Sequence, residues 1–471
     1  MNIVLVIFDT LRKDCVGCYN SSPSWGKVRT SYLDSLAQES MIMTRAFPES
    51  LPTLPARRAI YTGQRVYPFK EGYFNLKGDF PAAIGWGPIP EEQDTISELL
   101  HNNGYRTCLI SSVYHMFKPS KNYWRGFDQW DFIRGKESDP YKSGPLPTKN
   151  EIAYWLPLFM QNKERIDFVI KVIMNTRNMI QHEEYSAVAQ VMIKASKWLE
   201  ENKDAKKFFL VVESFDPHEP WIVPEHYRKI YDNNSDVHEQ IITGYKDISD
   251  WPKDILFRTQ ANYSGLVTMS DRWFGYLYEQ LKILDLLDNT LLIVTSDHGH
   301  SIGENNYLGK RGYPSRREVF DIPLMIRHPN KTGAGQRSNI LVQHTDISAL
   351  ILKFAGIEPS KLIDGKDFWE NAIKEKPIRD HVTIAWGSSI TVVDDNWWLN
   401  CRVNGKGTFL YDLRRDLMLN KNIAENHPDV VNQLYIKALE DAGGKFPDYL
   451  MQSADREEDA PGCSPLAARK L

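Results

Sequence analysis

Cysteine is scarce in this 471-residue chain: Cys15, Cys18, Cys108, Cys401 and Cys463 are the only five. An odd, widely spaced set excludes the disulfide lattice of a small secreted domain, so these thiols are expected to be free and buried as small apolar groups. Cys15 and Cys18 form a CxxC, yet no second pair follows to complete a zinc site. Long hydrophobic runs are missing too. The longest, such as Ile3–Phe8 and Phe208–Val212, are strand-sized and far short of the ~20 residues that span a bilayer, so no membrane span is expected. Neither sign of charge dominates: 57 Lys+Arg against 61 Asp+Glu leave a net −4, which gives no basic stripe for a nucleic-acid partner. The first residues lack the basic n-region and cleavage site of a signal peptide, and a cytoplasmic protein is the expectation. Repeats and low-complexity segments are absent.

What is present is globular. Hydrophobic residues make up 42% and charged residues 25%, and at roughly 150 residues per domain the length suits about three domains, or one large α/β domain with a small one. Apolar strand-like runs at Asn2–Phe8, Arg106–Ser111, Lys207–Glu213, Thr290–Thr295 and Leu324–Arg327 alternate with helical spacing at Asp94–Asn102, Glu184–Asn202, Gln260–Leu284 and Asp346–Phe354. Such alternation predicts a parallel sheet with both faces covered. Residues 139–175 are rich in aromatics, Lys and Pro and read as an inserted, partly helical cap. Beyond Leu362 the pattern changes to short strands, Val382–Ala385, Ser389–Val393 and Trp397–Val403, closed by a helix over Pro428–Ala442. The division is therefore 1–365 as the main domain, 366–450 as a small α+β domain and 451–471 as a polar, mobile tail.

Functional residues of parallel sheets collect beyond the carboxyl ends of strands. Asp9 follows the first strand, Asp216 and His218 follow the Lys207–Glu213 strand, and Asp297–His298 follow Thr290–Thr295. Three polar clusters at the same end of three apolar strands are hard to ascribe to caps and surface loops.

The most specific segment is Thr53-Leu54-Pro55-Ala56-Arg57-Arg58-Ala59-Ile60-Tyr61-Thr62-Gly63. It can set a hydroxyl at a helix N-terminus, where backbone N–H groups favour anions, with Arg57 one turn on able to grip an oxyanion. Alone, it would read more simply as a capped, solvated helix. It resembles, however, the sulfatase signature of the alkaline phosphatase superfamily, in which Cys or Ser, then x-Pro-x-Arg, ends in Thr-Gly. Further similarities follow in order: Phe8-Asp9-Thr10-Leu11-Arg12, Gly104-Tyr105-Arg106-Thr107, Asp216-Pro217-His218-Glu219-Pro220-Trp221, Thr295-Ser296-Asp297-His298-Gly299 with Gly309-Lys310, and Phe409-Leu410-Tyr411-Asp412-Leu413. The resemblance implies an α/β, alkaline-phosphatase-like sandwich with a large, mostly parallel central sheet flanked by helices, plus a small C-terminal α+β domain.

It also implies one site. Asp9, Thr53, Asp297 and His298 would hold one divalent metal ion, and Thr53 would be the nucleophile. Arg57 would bind the oxyanion, Lys310 the oxyanion or the leaving oxygen, His218 would face the leaving group as general acid or hold a non-bridging oxygen, and His115 would match a family site histidine. Thr10 and His298 stand where many sulfatases carry Asp and Asn. Exchanging oxygen donors for an imidazole favours Mn²⁺ or Zn²⁺, with Ca²⁺ or Mg²⁺ as the alternatives. Asp216, His218 and His344 form a less supported second cluster for a dinuclear site.

Two further positions depart from the family pattern. Sulfatases convert Cys or Ser at position 53 to formylglycine; threonine is not the recognised substrate of that modification, so no formylglycine is expected. The lysine of the family's Gly-Lys-Trp-His segment falls on Val113. Both changes favour phosphate or phosphonate (di)esters over sulfate esters, through a covalent intermediate on Thr53. The alternatives are a sulfuric ester hydrolase proper, a head-group phosphotransferase, or a catalytically silent binding protein. The partner expected is a small-molecule ester; Phe80–Trp86 and Tyr154–Phe159 are candidate pocket walls, and a homo-oligomer is admissible because superfamily members range from monomers to tetramers.

Overall fold

Asn2–Phe8 (β1) is buried at all seven positions of the computed structural model. A strand covered on both faces needs apolar side chains in both directions, hence the unbroken Ile-Val-Leu-Val-Ile-Phe run. Val4, Val6 and Phe8 enter one core, shared with the helices Ala187–Asn202 and Lys253–Ile283. Ile3, Leu5 and Ile7 enter the opposite core, shared with Thr53–Thr62, Ile96–Asn102 and His344–Ala355. The structure describes residues 1–456 apart from 71–82, 119, 137–140, 157–162, 178, 180–181, 235–243 and 360–361.

The other strands of this sheet are β2 (Met41–Met43), β3 (Arg106–Ser111), β4 (Gln129–Phe132), β5 (Phe208–Ser214), β6 (Thr290–Ser296), β7 (Leu324–Arg327) and β8 (Arg337–Ser338). The order is β8-β2-β7-β6-β1-β5-β3-β4. Only β7 runs against its neighbours, β6 and β2; every other pairing is parallel. The expected large, mostly parallel sheet between helical layers is therefore the architecture observed. Helix starts shift for local reasons. Thr95, not Asp94, caps Ile96–Asn102 through a capping box with Glu98, and the long helix begins at Lys253, seven residues before Gln260, directly after Pro252.

The C-terminal strands His381–Trp386, Ser389–Asp394, Trp397–Arg402 and Phe409–Asp412 form an antiparallel meander. Helix Pro428–Asp441 covers one face through Leu434 and Ala438; Phe47, Leu51 and Phe320 cover the other. Leu51 N–H donates to Ala385 O (2.9 Å) and Ala385 N–H to Glu49 O (3.1 Å), so this sheet grips the segment leading into Thr53. Helix Asp448–Asp455, with Leu450 and Ala454 buried, continues the fold past residue 451, where the sequence reading starts a tail. The rest of that tail, with Cys463, lies outside the described residues.

The stretch 139–175 contains helices Lys149–Trp155 and Lys163–Thr176, and Leu156, Val169, Val172 and Ile173 pack into the core on one face of the sheet. Cys15, Cys108 and Cys401 are buried, Cys18 is half-buried, and all four are free thiols. No helix among the described residues is long and apolar enough to cross a membrane.

Candidate active site

Register brings the site together. Phe8 at the end of β1 pairs with Ser214 of β5 and with Ser296 of β6, so Asp9, the turn after Ser214 and Asp297 all leave the sheet from one row. Asp9 N–H still donates to Ser214 O (2.9 Å).

Asp9, Asp297 and His298 are fully buried, and one donor atom from each lies within 4.8 Å of the others; they are the only such group of three among the described residues. Asp297 Oδ1 accepts from the Thr10 N–H (3.0 Å) and the His298 N–H (2.8 Å). Thr10 adopts φ 59°, a left-handed turn fixed by Tyr263, whose hydroxyl donates to Thr10 O (2.8 Å). Both Asp9 oxygens are buried without a hydrogen-bond partner. Burial, and then the neighbouring Asp297, push the Asp9 carboxyl well above its ordinary range. Two buried carboxylates, one ion-paired to Arg57 but with no aligned hydrogen bond, beside an imidazole lone pair are what a divalent cation satisfies; the donor set fits a metal ion.

The tautomer of His298 follows from its contacts. Its Nδ1 lies 2.9 Å from Gly299 O, a group that only accepts, so Nδ1 carries the proton and Nε2 is left with its lone pair. Burial lowers the ring to about 3, opposed by Asp297, and the imidazole is neutral. That Nε2 lies 3.5 Å from Thr53 Oγ1.

Thr53 is the first residue of its helix, follows Pro52 and has φ 20°, an unusual backbone for a β-branched residue. Arg57, one turn later, is completely buried among carboxylates. Its Nε donates to Glu213 Oε2 (2.5 Å), Nη1 to Asp297 Oδ2 (2.5 Å), and Nη2 lies 3.1 Å from Asp9 Oδ2. Tyr61 OH donates to the other Glu213 oxygen (2.7 Å). Glu213 was not singled out by the sequence reading, which took it as the last residue of a strand. Its signal is a carboxylate closing an apolar, doubly buried run at the functional edge.

His218 and Lys310 meet: Lys310 Nζ lies 2.6 Å from His218 Nε2. The His218 ring stacks on Phe215 with centroids 4.1 Å apart, and its Nδ1 lies 2.5 Å from Glu219 O. Lys136, also missed, is buried, pairs with Asp216 and donates to His218 O (3.1 Å). His115 is buried beside Trp86 (4.9 Å, edge-on) and tilted against Tyr114 (3.9 Å); burial, then His218, hold it well below the usual histidine range. Val113 sits in the apolar core and presents no charge. Of the candidate pocket walls, residues 80–82 and 157–159 lie outside the described residues.

The second cluster does not assemble. Asp216, His218 and His344 do not converge to ligand spacing. Asp216 is taken by Lys136 and by the Val188 N–H at the start of helix Ala187–Asn202 (3.1 Å), while His344 Nε2 donates to Ser296 O (3.0 Å).

Residues 1–357 match the family model described as Sulfatase. An arylsulfatase of Clostridium perfringens is 23% identical over 484 residues, covering 93% of this chain and 94% of that protein. Among solved structures, the phosphonate monoester hydrolase of Agrobacterium radiobacter superposes with a TM-score of 0.70 at 21% identity, covering 93% of this chain and 95% of the other. A structure in complex with its substrate D-glucosamine-2-N,6-O-disulfate gives a TM-score of 0.69 at 17% identity, covering 95% and 99%.

Proposed function

The chain belongs to the sulfatase family and is an ester hydrolase; from that premise we propose that it cleaves small phosphate or phosphonate esters, diesters included, by attack of an unmodified Thr53. The observation that carries this reading is residue 53 itself. A secondary alcohol stands where family members carry the formylglycine precursor, buried, at a helix N-terminus and 3.5 Å from a histidine nitrogen that can only accept. Thr lacks the second hydroxyl with which a formylglycine hydrate expels sulfate, so its ester must be cleared by water, as phosphoryl esters are. Val113 supplies no cation, which among phosphorus esters suits the singly charged phosphonate monoesters and diesters over a phosphate monoester dianion.

Asp9, Asp297 and His298, with Thr53 Oγ1, would hold one divalent ion, and the mixed oxygen and nitrogen donors favour Mn²⁺ or Zn²⁺. When bound, it supplies charge that acidifies the hydroxyl and offsets charge on the attacked ester. The chain's own residues do the rest. Thr53 Oγ1 gives up its proton to solvent and bonds to phosphorus as the bond to the leaving oxygen breaks. That oxygen takes a proton from the Lys310–His218 pair, and Arg57, held by Glu213, adds positive charge for the equatorial oxygens. Water then cleaves the Thr53 ester, its OH going to phosphorus and its proton to Thr53 Oγ1, and the pair regains its proton from solvent.

Purified protein should be assayed with matched 4-nitrophenyl phosphate, phenylphosphonate, phosphodiester and sulfate. Phosphorus esters should exceed sulfate by about 100-fold in kcat/KM, and mass spectrometry of the peptide should show unmodified Thr53. Efficient sulfate release with only traces of phosphate or phosphonate hydrolysis would overturn the reading.

A further inference from the structure

Glu219 follows His218 in the Pro-His loop and is mostly buried beside the Lys310–His218 pair. Its Oε1 accepts from Tyr245 OH (2.7 Å). Its Oε2 lies 3.3 Å from His218 Nδ1 and 3.2 Å from His300 Nε2, and neither approach is aligned as a hydrogen bond, so this oxygen acts through its charge. The rings of Trp221 and Tyr245 pack edge-on to His300, 5.1 and 5.7 Å between centroids.

The proton inventory of the pair is set by chemistry. An ammonium only donates, so at 2.6 Å a Lys310 proton points at His218 Nε2, and the His218 Nδ1–H is spent on the Glu219 carbonyl (2.5 Å). The pair thus carries one net positive charge between Lys310 Nζ and the His218 ring. Burial, followed by Lys310, also holds the imidazole well below its ordinary range despite Glu219. Burial would raise the Glu219 carboxyl, but the positive charge of the Lys310–His218 pair holds it well below its ordinary range, ionised.

We infer that Glu219 is a positioning residue, the fixed counter-charge that keeps the Lys310–His218 pair loaded with its proton and aimed at the leaving oxygen. Its relation to His218 parallels a carboxylate behind the imidazole of a catalytic triad, which acts by charge and orientation without taking the proton. This rests on the proposed leaving-group role of the pair, and the test separates the two.

The readout is the leaving group. Nitrophenolate departs unprotonated, whereas an alkoxide needs the proton. Two esters with the same acid part, one 4-nitrophenyl and one methyl, drawn from whichever class the wild type turns over fastest, are compared in Glu219→Gln and His218→Ala. Glu219→Gln should lose about 30-fold more kcat on the methyl ester than on the nitrophenyl ester, with KM for both within about threefold. Glu219→Asp should recover part of that loss, and His218→Ala should show the same selectivity more strongly. Tyr245→Phe, which removes only the donor to Oε1, should show it about threefold and serves if Glu219→Gln folds poorly. Equal slowing of both esters in Glu219→Gln, or no slowing beside a selective His218→Ala, overturns the inference. A non-selective His218→Ala instead overturns the leaving-group role on which it stands.

Discussion

Thr53 Oγ1 and His298 Nε2 lie 3.5 Å apart inside the protein, and the imidazole faces the hydroxyl with its lone pair because Gly299 O holds the proton on Nδ1. Under the proposed function this hydroxyl is the attacking group. Thr53→Ala should therefore abolish turnover, by about 1,000-fold or more in kcat, with an unchanged melting profile. Thr53→Ser keeps a hydroxyl and relieves the β-branched side chain of its unusual φ, and should stay within about tenfold of wild type. Residual turnover of Thr53→Ala near wild type would remove Thr53 as nucleophile.

Asp9 provides the test of the metal. Its carboxylate is buried without a hydrogen-bond partner, so the folded chain gains from a cation there. Chelation should abolish activity, and Mn²⁺ or Zn²⁺ should restore it. The restoring ion, at about 100 times its Kd, should stabilise the wild type by about 2.7 kcal/mol and raise Tm. Asp9→Asn should lose that shift while its metal-free form melts no lower than the metal-free wild type. A metal-induced Tm rise of equal size in Asp9→Asn would show the ion binding elsewhere.

Much of this was legible before the structure because the informative residues are coupled to periodicity. β1, β5 and β6 are largely continuous apolar runs, and the polar residues after each fall at one edge of the sheet by the rule for parallel strands. Shorter strands carried no such signal: Met41–Met43 and Arg337–Ser338 are too brief to show a period of two, and Gln129–Phe132, at the sheet's edge, has exposed Gln129 and Trp130. Glu213, Lys136, Glu219 and His300 were passed over for a different reason. Each acts on a residue distant in sequence or through the geometry of a turn, as Lys136 does on the Asp216–His218 loop, and no local spacing announces that.

Glu213 is the clearest of these. Its Oε2 accepts from Arg57 Nε at 2.5 Å and its other oxygen from Tyr61 at 2.7 Å, all fully buried. Glu213→Gln leaves the guanidinium short of one counter-charge in a dry site and should destabilise the fold by about 3 kcal/mol. It should also lower kcat/KM by about tenfold or more by freeing the fork that presents Arg57. Arg57→Lys should be no milder, since an ammonium cannot reach Glu213, Asp297 and Asp9 together. Chemical denaturation and steady-state kinetics check both; a Glu213→Gln protein with wild-type stability and rate would show that Arg57 needs no such anchor.

His344 gives a prediction about acid. It is fully buried, its Nε2–H donates to Ser296 O (3.0 Å), and Nδ1 has no partner. Burial lowers its pKa from 6.5 to about 4. The unfolded chain then binds the proton more tightly than the folded one, so the stability from a neutral His344 is complete above about pH 6.5 and is lost as pH falls through 4. A shift of this size corresponds to about 3 kcal/mol. His344→Gln keeps an N–H for Ser296 O but has nothing to titrate, so its unfolding free energy should fall less between pH 7 and pH 4 than that of the wild type. Urea titrations at a series of pH values measure that slope directly, and identical slopes in the two proteins would mean that acid lability originates elsewhere in the fold.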